Sequence, residues 1–150
     1  MFRYDVSSGG YLRTGDLGFI YKGELFICGR SKDLIIVRGS NHYPQDIERT
    51  AEKAEPRLRP GCSAAFSLVS SGTTQHTESV VFIAEVKQDA PDIRIDTTSL
   101  SQMAESLRRV IAADHGIALS SVCLLKMKTV PKTTSGKIAR SWCRKAFLDR

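Results

Sequence analysis

Two apolar, β-branched runs, residues 62 to 69 and 79 to 86, constrain this chain more than any other feature. Their composition favours strand, and the soft loop Ser70-Ser71-Gly72-Thr73-Thr74 between them predicts that they pair. A small sheet of this kind needs its apolar faces covered, so the flanking segments are read for what can cover them. Pro44 stands where a first helical turn tolerates proline, with Asp46 and Glu48 in that turn and Ile47, Ala51 and Ala54 at helical spacing. One helix is predicted over 44–54, ended by Pro56 and Pro60-Gly61.

Residues 87–98, with Pro91 among them, read as a polar linker, and Ser99 or Ser101 is placed to cap a second helix. Leu100, Met103, Leu107, Val110 and Ile111 share one face of it and Gly116 closes it. A third core strand is predicted over Ser121 to Met127. The loop Pro131 to Gly136 follows, then a final helix from Lys137 to Leu148 with Ile138, Trp142 and Phe147 as its apolar anchors. Upstream, Gly15-Asp16 and Lys22-Gly23 punctuate two short runs, Leu17 to Tyr21 and Glu24 to Cys28, which read as a β-hairpin. A flexible polar stretch, Gly29 to Asp33, then precedes a strand from Leu34 to Val37 and a turn from Arg38 to Asn41.

The fold class is therefore α+β: an N-terminal β-hairpin and hinge, followed by a small three-stranded sheet flanked by helices. The boundary near residue 30 divides the chain into 1–29 and 30–150.

At 150 residues, 41% hydrophobic and 25% charged, the chain suits a soluble globular unit with one or two small cores. No run approaches the roughly 20 apolar residues of a membrane span, and Met1 to Asp5 lacks the apolar stretch of a signal peptide. Cys28, Cys62, Cys123 and Cys143 are dispersed, form no C-x-x-C pair and read as buried thiols, which fits a reducing cytoplasm. The formal net charge of +6 is concentrated: residues 126 to 150 hold eight basic side chains against Asp149, a net of +7, so the remainder sums to −1. That is a basic segment rather than a basic domain, and no aromatic-rich basic sheet is visible, which argues against nucleic acid. Cations near the C-terminal end of a solvated helix would account for part of it.

Three segments concentrate polar residues that neither helix nor strand formation requires. They are Tyr11-Leu12-Arg13-Thr14-Gly15-Asp16-Leu17-Gly18, Gly29-Arg30-Ser31-Lys32-Asp33, and Pro131-Lys132-Thr133-Thr134-Ser135-Gly136-Lys137-Ile138. In this order and spacing they resemble the C-terminal signatures of the adenylate-forming superfamily, which includes acyl-CoA synthetases, luciferases and peptide-synthetase adenylation domains. The segment Arg38-Gly39-Ser40-Asn41-His42-Tyr43-Pro44-Gln45-Asp46-Ile47-Glu48 is most similar to the fatty acyl-AMP ligase branch. Two positions depart from the pattern: Ile36 stands where many relatives have lysine, and Ser40 where that branch has arginine.

The resemblance implies residue roles. Lys137 corresponds to the adenylation lysine, whose compact ammonium meets the charge that builds on the α-phosphate when a carboxylate attacks ATP. Asp16 matches the aspartate that accepts from the ribose hydroxyls, Arg30 an arginine that contacts the nucleotide, and Lys32 the pivot on which the lid turns between half-reactions. Asp33 and Glu48 read as structural, His42 as a packing residue, and His76 and His115 as lacking partners. The end of the third segment also resembles a phosphate-cradling loop, but position 131 is proline and Ile138 replaces the magnesium-binding hydroxyl.

By the same resemblance, the whole enzyme takes ATP and Mg2+ as a substrate complex, activates a fatty acid and passes it to an acyl carrier protein. A large N-terminal adenylation domain belongs to the same chain, and residues 1 to 150 alone are expected to be inactive and to bind no cofactor. The rival readings are the lid of an acyl-CoA synthetase and a non-catalytic module that docks a carrier protein on its basic segment.

Overall fold

The structure, a computed structural model, describes residues 13–69, 78–87 and 96–149. Tyr11 and Leu12, the loop from Ser70 to Thr74, His76 and most of the linker over 87–98 lie outside the described residues. The chain divides into two compact units, Met1–Lys32 and Asp33–Arg150.

The first unit contains the hairpin: β1 (Asp16–Tyr21) pairs antiparallel with β2 (Glu24–Arg30) around Lys22-Gly23. Both turn residues have positive φ, 50° and 81°, as the right-handed twist of a tight hairpin requires. Phe19 and Phe26 stack across the pair at 5.1 Å between ring centroids. The predicted flexible stretch is more ordered than its composition suggests: Gly29 and Arg30 complete β2, and residues 31–33 form a 3-10 turn whose Ser31 N–H donates to Gly15 O at 2.8 Å.

The second unit opens with a hairpin that the sequence reading resolved only by half. β3 (Ile35–Val37) pairs with β4 (Ser40–His42), so Asn41, assigned to a turn, is in a strand and the turn is only Arg38-Gly39. α1 (Pro44–Ala54) matches its predicted span. β5 (Leu58–Val69) starts four residues before the predicted Cys62, because its ladder is broken between Leu58 and Ser63. That irregularity accommodates Pro60, which has no N–H to donate.

β6 (Glu78–Val86) lies between β5, antiparallel to it, and β7 (Leu119–Leu125), parallel to it. The parallel pairing requires a crossover, supplied by α2 (Thr97–His115). Its N-cap is Asp96, whose side chain accepts from Ser99 N–H, and not Ser99 or Ser101. Gly116 closes it as predicted.

A strand with neighbours on both sides and layers on both faces should be largely apolar, and β6 is so from Val80 to Ala84. Val80, Phe82, Ala84 and Val86 face a core completed by Ile35, Ile47, Ala51, Met103, Leu107 and Ile111, from β3, α1 and α2. Val81 and Ile83 face a second core with Ala64, Phe66, Val130 and Cys143. This second face is covered by α3 (Arg140–Leu148) and the segment leading into it.

Two corrections concern α3. Trp142, predicted as an anchor, is 61% exposed, because Cys143 and Phe147, one helical turn apart, face the core instead. Lys137 does not open the helix, which begins at Arg140. Among the described residues no helix is long and apolar enough to cross a membrane, and none of the four cysteines forms a disulfide.

Candidate functional site

Lys137 is displayed by a small hydrogen-bonded loop. Lys132 and Ile138 form an antiparallel bridge, Thr133 N–H donates to Lys137 O at 2.8 Å, and Gly136 N–H donates to Thr133 O at 2.9 Å. Ala139 N–H donates to Pro131 O at 3.0 Å, and Thr133 Oγ1 accepts from Lys137 N–H at 3.2 Å. The chain reverses at Gly136, where φ is +78°, a conformation glycine adopts without penalty. These bonds explain why the helix starts late: the Lys137 carbonyl, which a helix would give to the N–H of residue 141, already accepts from Thr133. Extended geometry at a bridge sends successive side chains to opposite sides. Ile138 packs on the second core and Lys137 is exposed.

Both feet of this loop are tied to buried carboxylates. Val130 N–H donates to Glu85 Oε1 at 2.9 Å, and Arg59 Nη1 donates to Glu85 Oε2 at 2.8 Å. Burial alone would push Glu85 up, but its hydrogen bonds from Arg59, Lys128 and Val130 outweigh that and hold it below the ordinary carboxylate range. At the other foot Arg140 makes two hydrogen bonds to Glu48, at 2.8 and 2.6 Å, and its Nη1 lies 3.9 Å from Asp33 Oδ2. Asp33 and Glu48 thus have the structural placement read from the sequence. Arg140 and Glu85 were missed, one counted as tail charge and the other as part of an apolar strand.

In the first unit the hairpin register pairs Asp16 with Arg30, and the carboxylate stands 3.5 Å from Arg30 Nε. The two residues belong to different sequence segments, and the β1–β2 ladder brings them together. Asp16 N–H also donates to Thr14 Oγ1 at 3.2 Å. Lys32 is exposed in the 3-10 turn, at the last position before the division between units.

His115 has a partner, contrary to expectation: its Nε2 is 2.9 Å from Thr50 Oγ1. Burial, and next the charge of His115, push His42 below the usual imidazole range, so it is neutral near pH 7. Lys126, Lys128, Lys132, Lys137, Arg144 and Lys145 are all exposed, so most of the basic segment's charge faces solvent. It spreads over loops as well as α3, rather than lying on one helix face. Ile36 and Ser40, where the chain departs from the resembled pattern, are exposed on the β3–β4 hairpin.

Residues 32–150 match the family model described as Disco-interacting protein 2-like, AMP domain. The chain belongs to this adenylate-forming family. It is the C-terminal domain of the superfamily's architecture, similar to fatty acyl-AMP and acyl-carrier-protein ligases. It is 43% identical over 145 residues to a medium-chain-fatty-acid–[acyl-carrier-protein] ligase of Moorena producens, covering 97% of this chain and 23% of that protein. It is 36% identical to a long-chain-fatty-acid–AMP ligase of Mycobacterium marinum, covering 94% of this chain and 24% of that protein. Among solved structures, a fatty acyl-adenylate ligase from a study of the E. coli and L. pneumophila enzymes superposes with a TM-score of 0.73 at 35% identity, covering 92% of this chain and 22% of that one. This adenylate-forming domain thus spans about a quarter of the length of the curated relatives it matches.

Proposed function

We propose that the chain is the mobile lid of a fatty acyl-AMP ligase, which activates a fatty acid with ATP and transfers the acyl group to the phosphopantetheine thiol of an acyl carrier protein. The single observation that carries this reading is the exposed Lys137 on a loop with one foot fastened to β6 through Glu85 and the other to α1 through Glu48. A charge meant to meet a phosphate must project from a frame that does not itself yield, and this one does. Similarity to ligases that form fatty acyl adenylates supports the substrate class.

In this proposal ATP arrives with its magnesium ion on the large N-terminal domain. The fatty acid carboxylate attacks the α-phosphorus, pyrophosphate leaves, and the Lys137 ammonium offsets negative charge on the phosphorus oxygens in the transition state. Asp16 accepts from the ribose hydroxyls, a role suited to the two oxygens of a carboxylate whose ion pair with Arg30 is 3.5 Å long. Arg30 orients that carboxylate and contacts the nucleotide. Lys32, solvated and outside either core, absorbs the dihedral change between adenylation and acyl transfer. The exposed cations of residues 126–145 offer a surface for the acidic face of a carrier protein, and four cysteines without disulfides fit a reducing cytoplasm.

Pyrophosphate exchange by the full-length ligase tests the lysine. Lys137→Ala should lower adenylation by a factor on the order of 100 to 1,000, comparable to the loss of one oxyanion donor. Near-normal exchange would refute the assignment. Offering coenzyme A and carrier protein in competition tests the acceptor: carrier acylation is expected to dominate, and predominant acyl-CoA would place the enzyme among the synthetases instead.

A further inference from the structure

Lys137 is separated from Arg140 by two residues, and unlike the exposed lysines of the loop Arg140 is largely withdrawn from solvent: its side chain is 20% exposed and that of its partner Glu48 11%. Burying this pair is costly unless every polar atom is satisfied. Here the guanidinium fork meets the carboxylate side-on, Nε to Oε1 at 2.8 Å and Nη2 to Oε2 at 2.6 Å. Glu48 Oε1 also accepts from Ala65 N–H at 2.9 Å, which anchors the acceptor to β5 as well as to α1. The remaining nitrogen, Nη1, faces Asp33. A lysine could supply the charge but not this planar two-point geometry.

The constraint reaches Lys137 through short links. Arg140 opens α3; Ala139 before it is bonded to Pro131 O; Ile138 bridges Lys132; and Val130 is held by Glu85. With the first foot fixed by Glu85, release of the second would let residues 137 to 139 drift against the sheet.

We propose that Arg140, gripped by Glu48, is the positioning residue for Lys137, fixing the second foot of the loop so that the ammonium meets the phosphate in one geometry. The inference rests on the reading of Lys137 as the adenylating lysine. The pair touches neither nucleotide nor acyl group; it acts through the backbone of residues 137 to 139. Its contact with Asp33 also ties the loop to the first residue of the second unit, immediately after Lys32.

The experiment compares Arg140→Gln, Arg140→Lys and Glu48→Gln. In the full-length ligase, Arg140→Gln and Glu48→Gln should lower kcat for adenylate formation about tenfold or more while KM for ATP stays within about twofold, since a displacement on the order of 1 Å suffices for a large rate loss. Arg140→Lys should rescue kcat only in part. In the 150-residue chain itself, amide exchange at Thr133, Gly136 and Ala139 should accelerate in both Gln variants, with the amides of β6 unchanged. Unaltered kcat, a loss that merely tracks the folded fraction measured by circular dichroism, or unaltered exchange at the loop amides would overturn the positioning role. Lys137→Ala, run alongside, separates the two failures: if that variant still adenylates, the functional reading falls, whereas the exchange result judges the clamp independently.

Discussion

Cys143 shows how a single side chain reports its surroundings. It is 2% exposed on the α3 face that packs against Phe66 and Val81, and burial pushes its thiol up to about 11, with the Arg140 charge only partly opposing the shift. The folded thiol therefore holds its proton where the unfolded one, near 9, has lost it. Above pH 9 the native state binds more protons than the unfolded state, so stability falls as pH rises towards 11 and is fully present below 9. Urea denaturation midpoints measured across this window should decline more steeply for the wild type than for Cys143→Ala. Parallel profiles would mean the thiol is not desolvated. The same helix explains the Trp142 misreading: hydrophobicity marked it as an anchor, but the buried face was chosen by Cys143 and Phe147, and Phe147 sets its ring edge against Phe66 at 6.0 Å.

Among the elements, β6 is the central strand of its sheet, paired on both sides and contributing residues to both cores. Phe82, fully buried at its centre, meets residues from α1, α2 and β3 in one core. Phe82→Ala should cost about 3–5 kcal/mol from lost burial and the cavity left behind, and each kcal/mol lowers the melting temperature of a chain this size by roughly 2–4 °C. Calorimetry of the chain decides it, and a fall of only a degree or two would show that the site collapses around the gap. Elements with strong local periodicity, α1 above all, were legible to the residue. Elements fixed by pairing were not. β4 is three polar residues with no strand propensity of their own, held because Ile35, Ile36 and Val37 need partners. The segment from Lys137 to Ala139 looked helical, yet the Lys137 carbonyl that a helix would need was claimed by Thr133.

For the molecule as a whole, the proposed cycle depends on two units joined at Lys32. Proline at this position would restrict its own φ and the backbone of the residue before it, narrowing the dihedrals on which a pivot depends. Lys32→Pro in the full-length ligase should therefore depress one half-reaction about tenfold and spare the other, read as pyrophosphate exchange against carrier acylation. Equal losses in both, or none, would remove Lys32 from the pivot. The sequence by itself determined the α+β class and most of the order of the elements, because local periodicity carries them, while the resemblance of its motifs to a known superfamily supplied the family and Lys137, Asp16, Arg30 and Lys32 as candidates. Only the tertiary structure decided that Asp16 meets Arg30 across a ladder, that Lys137 projects from a bonded loop instead of a helix, and that Arg140 is gripped by Glu48, 92 residues away in the chain. Those facts depend on which distant donors and acceptors satisfy one another once water is excluded, and a buried carboxylate's choice of partner is not written in its neighbours along the chain.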